Sequence, residues 1–139
     1  MNEATPSQPH FAAGAPLNTK WGAAVTGGRN GYQLLPDVLV RHQVKLGLSC
    51  TDMCVLLNIC MHWWENDPTN MPHPRPDQIA RRLGTNSRTV QRSIAKMVRL
   101  DLIERMPVER TAKGLLVRKF NLNGLLQQLK QIAVEQAQV

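Results

Sequence analysis

The chain has 139 residues, with 17 Lys and Arg against 10 Asp and Glu, a formal net charge of +7, 42% hydrophobic and 4% aromatic residues. That length suits one domain rather than a large two-domain enzyme, and the apolar content suffices for a core. Few aromatics count against a carbohydrate-stacking surface, while the basic excess calls for an anionic partner, nucleic acid before a membrane surface.

The excess is local. Between Arg75 and Phe120 there are twelve Lys or Arg and four Asp or Glu, so this segment carries +8 and the remainder sums to −1.

Residues 1–30 are rich in Ala, Gly, Pro, Ser, Thr and Asn and read as a flexible arm before a domain at 31–139. Trp21 is expected to pack on the flank of that domain. No basic stretch leads into an apolar one, as a signal peptide requires, and the longest apolar run, 53–64, is too short to cross a bilayer. A cytoplasmic, nucleoid-associated protein is expected.

The first predicted helix spans Pro36 to Leu46, with Pro36 at its first position, Asp37 at the positive end of the dipole and Gly47 as its stop. A second runs from Thr51 to Glu65, capped by Ser49 or Thr51, with Asp52 in its first turn. Its residues 53–64 are apolar nearly all round, which predicts a core position or a face shared with a second subunit. Asn58 and His62 share one side and read as a satisfied polar pair. Cys50, Cys54 and Cys60 form no C-x-x-C pair, so they read as small buried hydrophobes, with neither a disulfide framework nor a metal site expected. Prolines 68, 72, 74 and 76 then favour non-helical backbone until a helix restarts at Pro76.

In that helix Ile79, Ala80 and Leu83 give a buried stripe, Gly84 supplies the left-handed stop, and Asn86 or Ser87 caps the next helix. On a wheel of residues 88–99, Val90, Ile94, Met97 and Val98 gather on one side, and Arg88, Arg92, Lys96 and Arg99 on the other. Like charges at i, i+4, i+8 repel within a helix, and no carboxylate in this stretch offsets them. A face meant for phosphates and guanine edges explains the pattern better than a solvated face of mixed sign.

The string Ile79-Ala80-x-x-Leu83-Gly84-x-x-x-Arg88-Thr89-Val90-Gln91-Arg92-x-Ile94, followed by Leu102-Ile103, resembles the winged helix-turn-helix of small bacterial transcription regulators. Similar domains occur in plasmid and phage replication initiators. The resemblance covers roughly residues 32–135, with its specific motif at 76–103; it departs in the turn, where Thr85-Asn86 stands for the usual apolar residue and serine. It implies a mainly α fold with a small β-hairpin and additional helices at both ends: helix-turn-helix at 76–100, wing at 102–121, C-terminal helix at 123–138.

Two strand-like stretches, Leu102–Met106 and Leu115–Asn121, joined by the polar segment 107–114, fit the wing. Leu116, Arg118, Phe120 and Leu122 fall on one face of the second. The C-terminal helix carries a stripe of Leu122, Leu125, Leu126, Leu129, Ile132 and Ala133. That stripe packs within the chain or pairs two copies, and pairing suits paired half-sites.

The expected activity is sequence-specific binding of double-stranded DNA, with the helix from Ser87 to Leu100 in the major groove. Arg88 and Arg92 are the candidates for base edges, with Gln91 at an adjacent base or phosphate. Asn86, Ser87, Thr89, Lys96 and Arg81 would hold the backbone, and Arg110, Lys113 and Arg118 would act from the wing. No G-x-x-x-x-G-K-[ST], G-x-S-x-G or H-E-x-x-H occurs, so neither catalysis nor a cofactor is expected. Transcription regulation, including that of a mobile element, is the leading role. A replication protein binding origin repeats is the first alternative, and a protein-interaction module with weak non-specific DNA binding is the second.

Overall fold

The computed structural model describes residues 20–63 and 71–137. The element order is α1 (Ala23–Thr26), α2 (Asp37–Arg41), α3 (Cys50–Cys60), α4 (Pro76–Leu83), α5 (Ser87–Arg99), β1 (Glu104–Arg105), β2 (Glu109–Arg110), β3 (Leu116–Val117), β4 (Phe120–Asn121) and α6 (Asn123–Ala137). The fold is mainly helical with one small hairpin, a winged-helix-like arrangement with helices added before and after it. Residues 1–19 of the expected arm, the end of the second predicted helix at Trp64 and Glu65, and Gln138 lie outside the described residues.

Local signals set most helix ends. Ser49 accepts from the Asp52 amide at 3.1 Å while Asp52 accepts from the Ser49 amide at 2.9 Å, a reciprocal capping box that starts α3. Pro76 opens α4, and Gly84 closes it at φ 69°, in the left-handed region. Asn86 caps α5 by accepting from the Thr89 amide at 2.9 Å. Asn86→Ala is expected to cost about 1 kcal/mol of stability, measurable by chemical denaturation.

Apolar stripes on these helices then make one core. Leu39 of α2, Val55, Leu56 and Ile59 of α3, Ile79 of α4, and Val90, Ile94 and Met97 of α5 are buried together with Leu102, Ile103, Phe120 and Leu122. α5 packs on both α3 and α4, and α6 packs on α2. The apolar side of α3 is thus spent inside the chain.

Several expectations need correction. The first helix ends at Arg41 because His42 departs to φ −118°, and residues 42–47 continue as turns that close at Gly47, φ 84°. Pro36 is its N-cap rather than its first helical residue. The next helix starts at Cys50 and ends at Cys60. Cys50 and Cys54 are exposed, because α3 touches α4 and α5 on one side and turns these two cysteines away, whereas Cys60 is part-buried and packs against the core as expected. Trp21 is 59% exposed, so the flank does not cover it. On α6 only Leu125, Leu129 and Ile132 are buried; Leu126 and Ala133 face outwards, which leaves a narrower stripe than the sequence suggests.

The wing holds a further departure. Glu104 and Arg105 pair with Asn121 and Phe120, whereas Glu109 and Arg110 pair with Val117 and Leu116. Residues 106–108 therefore lie opposite 118–119, three against two, which is a bulge. Met106 still donates to the Lys119 carbonyl at 2.9 Å, but Pro107 has no N–H with which to carry the ladder on. Strand pairing consequently reaches Glu109–Arg110, inside the segment expected to be only a connection. Phe120 is buried while Leu116 is 61% exposed, because the core reaches the rung of β1 with β4 but not that of β2 with β3. Beside the hairpin, Pro72 accepts from the Phe120 amide at 2.9 Å.

A tight seam joins the end of α5 to the start of α6. Asp101 takes φ 59°, a conformation Asp tolerates, and the Leu125 amide donates to the Leu102 carbonyl at 2.9 Å. Gln128 Nε2 donates to the carbonyls of Leu100 at 2.9 Å and Asp101 at 3.3 Å. Gly124 lies against the Asp101 carbonyl, where no Cβ fits.

Candidate nucleic-acid interface

The outer face of α5 follows from its period: the Val90, Ile94, Met97 stripe is buried, so Arg88, Gln91, Arg92 and Arg99 are exposed. Among the described residues Arg88, Arg92 and Arg99 meet no carboxylate within ion-pair distance. Each is a guanidinium whose donors remain open to an external acceptor. Ser87 and Thr89 are half-buried at the N-terminus of α5, and the Thr89 hydroxyl donates back to Asn86 Oδ1 at 3.2 Å. Asn86 Oδ1 is therefore occupied as a cap.

The remaining expected residues are arranged less uniformly. Arg81 of α4 is largely exposed and holds a loose ion pair with Asp77 at 3.5 Å, which leaves most of its fork available. At the hairpin end Arg110 Nη1 donates to the Gly114 carbonyl at 2.8 Å and so braces the tip, while Lys113 is exposed. Arg118 Nη1 donates to the Met106 carbonyl across the bulge at 3.3 Å. Lys119 pairs with Glu109 at 3.2 Å.

Lys96 departs from the exposed row. Its ammonium sits 2.7 Å from the Asp52 carboxylate, which is buried, and Ser93 Oγ donates to the other oxygen of the same carboxylate at 2.6 Å. With the Ser49 amide as a further donor, one carboxylate on α3 holds two residues of α5. Burial alone would raise the Asp52 pKa; the hydrogen bonds from Lys96, Ser93 and Ser49 outweigh it and hold the value at about 2, below the ordinary 3.8. The carboxylate that offsets the charge of Lys96 thus comes from a different helix. Ser49-x-x-Asp52 was legible as a capping signal, but nothing in the sequence links it to residues 41 and 44 positions further on.

A family model, the DnaD N-terminal domain, matches residues 35–139. The chain belongs to the DnaD N-terminal domain family. Membership places it among DNA-related, replication-associated proteins. Among solved structures, a "possible transcriptional regulator" from Methanosarcina mazei Go1 is similar at 21% identity, over 73% of this chain and 78% of that one, with a TM-score of 0.46. No curated protein matches.

This DnaD N-terminal domain has a second polar cluster, between α4 and α3. Arg82 Nη1 donates to Asn58 Oδ1 at 3.3 Å and to His62 Nε2 at 3.0 Å, so the Asn58 and His62 pair is satisfied by an arginine from the neighbouring helix. Partial burial, then the charges of Arg82 and His73, hold His62 below its usual pKa. Sequence reasoning also passed over Arg105, an exposed cation on β1. Among the described residues of this DnaD N-terminal domain no group of three His, Cys, Asp or Glu could hold a metal ion, and no helix is long and apolar enough to cross a membrane.

Proposed function

We propose that residues 31–139 form one domain that binds duplex DNA sequence-specifically, preceded by an arm at 1–30, and that it acts as a binding protein rather than an enzyme. The observation that carries this reading is the row of Arg88 and Arg92 on the outer face of α5, exposed and without a described acidic neighbour, beside Gln91. In the proposal α5 enters the major groove, Arg88 and Arg92 reach guanine edges, and Gln91 reaches an adjacent base or phosphate. Arg81, Asn86, Ser87 and Thr89 hold the backbone, and Arg110, Lys113 and Arg118 reach it from the wing. Lys96 is left out of this set because Asp52 engages its ammonium.

The family favours a replication role, with origin repeats as the target, over control of a promoter. Pairing of two copies is part of the proposal, since two half-sites need two recognition helices. Leu126 and Val134 remain exposed on α6 for that contact, whereas the apolar side of α3 is consumed in the core.

Selection of bound sequences from random duplexes, repeated at two salt concentrations, tests specificity and electrostatic share together. Arg88→Ala is expected to weaken the selected site by about 1–3 kcal/mol and to relax preference at one position. Equal loss on every sequence would make Arg88 a backbone contact, and unchanged affinity would remove it from the interface. Recovery of no preferred sequence, with a shallow salt slope, would favour a protein-interaction module instead.

A further inference from the structure

An open groove of about 560 Å³ lies between the wing and the α4–α5 pair. Its walls are apolar where DNA offers little to match them: Ile94 of α5 and Val117 at depth, with Val108 and Leu116 of the hairpin 48% and 61% exposed at the lip. The rim is cationic, with Arg75, Arg105 and Arg118 lining it; Arg75 pairs with Asp77 at 3.4 Å, and no carboxylate lines the groove among the described residues.

These features narrow the occupant. A duplex backbone presents phosphates to the rim but no side chain to seat among Val108, Leu116 and Val117. Unpaired bases call for a series of exposed aromatic faces, and of the two rings in the lining Phe120 is 3% exposed, which leaves the imidazole of His73 alone. Small ligands bury most of their surface in their sites, which an open trough with an exposed apolar lip does not offer.

We infer that this groove is a docking site for a peptide segment of a partner protein in which acidic residues alternate with bulky aliphatic or aromatic ones. The apolar side chains enter between Ile94, Val117 and the lip, and the carboxylates meet Arg105 and Arg118, which lack acidic neighbours in the groove. The groove abuts the proposed DNA surface at Gln91 and shares Arg118 with it, so the two ligands compete for that side chain.

The test uses the full chain and a phage-displayed library of short random peptides, followed by measured affinities for the recovered sequences. Recovered peptides are expected to interleave Asp or Glu with Leu, Ile, Val or Phe. Leu116→Ser and Val108→Ser, both at exposed positions that leave the core intact, should each weaken them about tenfold or more. Arg105→Glu should do likewise, while both serine variants keep the duplex DNA affinity of the unaltered chain. Recovery of no peptides, of basic or uncharged ones, or of peptides indifferent to the serine substitutions would overturn the inference. So would loss of duplex binding in those variants, because the lip would then belong to the DNA surface; loss of specific DNA binding by the unaltered chain would fail the proposed function without touching the groove.

Discussion

Replacing Asp52 by alanine is expected to lower the unfolding free energy by about 2–3 kcal/mol, because it removes a buried carboxylate shared by several donors, while Lys96, its side chain 39% exposed, can turn its ammonium to water. Three donors converge on that carboxylate: Ser93 Oγ, Lys96 Nζ and the Ser49 amide. Its loss also removes half of the capping box of α3. Urea denaturation at neutral pH measures the effect, and an effect below about 1 kcal/mol would mean that the network is neutral in net energy. The same carboxylate predicts an acid dependence. Its pKa in the fold is about 2 against 3.8 for the ordinary group. The stabilisation is thus complete above pH 3.8 and disappears as pH falls through 2, amounting to roughly 2 kcal/mol over that window. Asp52→Asn should flatten this part of the stability–pH curve. DNA affinity should fall in the alanine variant as well, since α5 is oriented through Ser93 and Lys96.

The second large effect is expected at Gly124. Alanine is a better helix former than glycine by up to about 1 kcal/mol, so on propensity alone Gly124→Ala would stabilise α6. The geometry reverses the sign. A Cβ at this position overlaps the Asp101 carbonyl, and both that oxygen and the carbon bearing it belong to backbone that cannot rotate away. The start of α6 would have to lift from the end of α5, breaking the Leu125 amide to Leu102 carbonyl bond and displacing Gln128. A loss of about 3 kcal/mol is expected, at the upper end for overpacking. A neutral or raised denaturation midpoint would show that the seam yields without cost.

The helix-turn-helix was readable because each of its parts is local. The Ile79, Ala80 and Val90, Ile94, Met97 stripes follow from helical period, and Gly84 and Asn86 are punctuation that acts within four residues. What could not be read was whatever depended on a neighbour distant in sequence. The wheel placed Lys96 with Arg92, yet its fate was decided by a carboxylate 44 residues earlier. Cys54 sat in a run apolar nearly all round, and only the positions of α4 and α5 determine which side of α3 is covered. The wing's alternation was legible as a face but not as a core: the one inserted residue near Pro107 lies in the outgoing strand, and Leu116, Arg118 and Phe120 of the return strand line one groove. What period two does not tell is how far the core extends beneath that face, and it covers Phe120 but not Leu116.

That inserted residue has a consequence for how the hairpin can change over evolutionary time. The rung of β1 with β4 carries buried Phe120 and is committed to the core, while the rung of β2 with β3 lies wholly outside it. Because the two rungs do not share a register, residues can be gained or lost beyond Pro107 without shifting a side chain inside the domain. The finger's length and charge are then free to be tuned to a new groove, while the helix beside it keeps its footing.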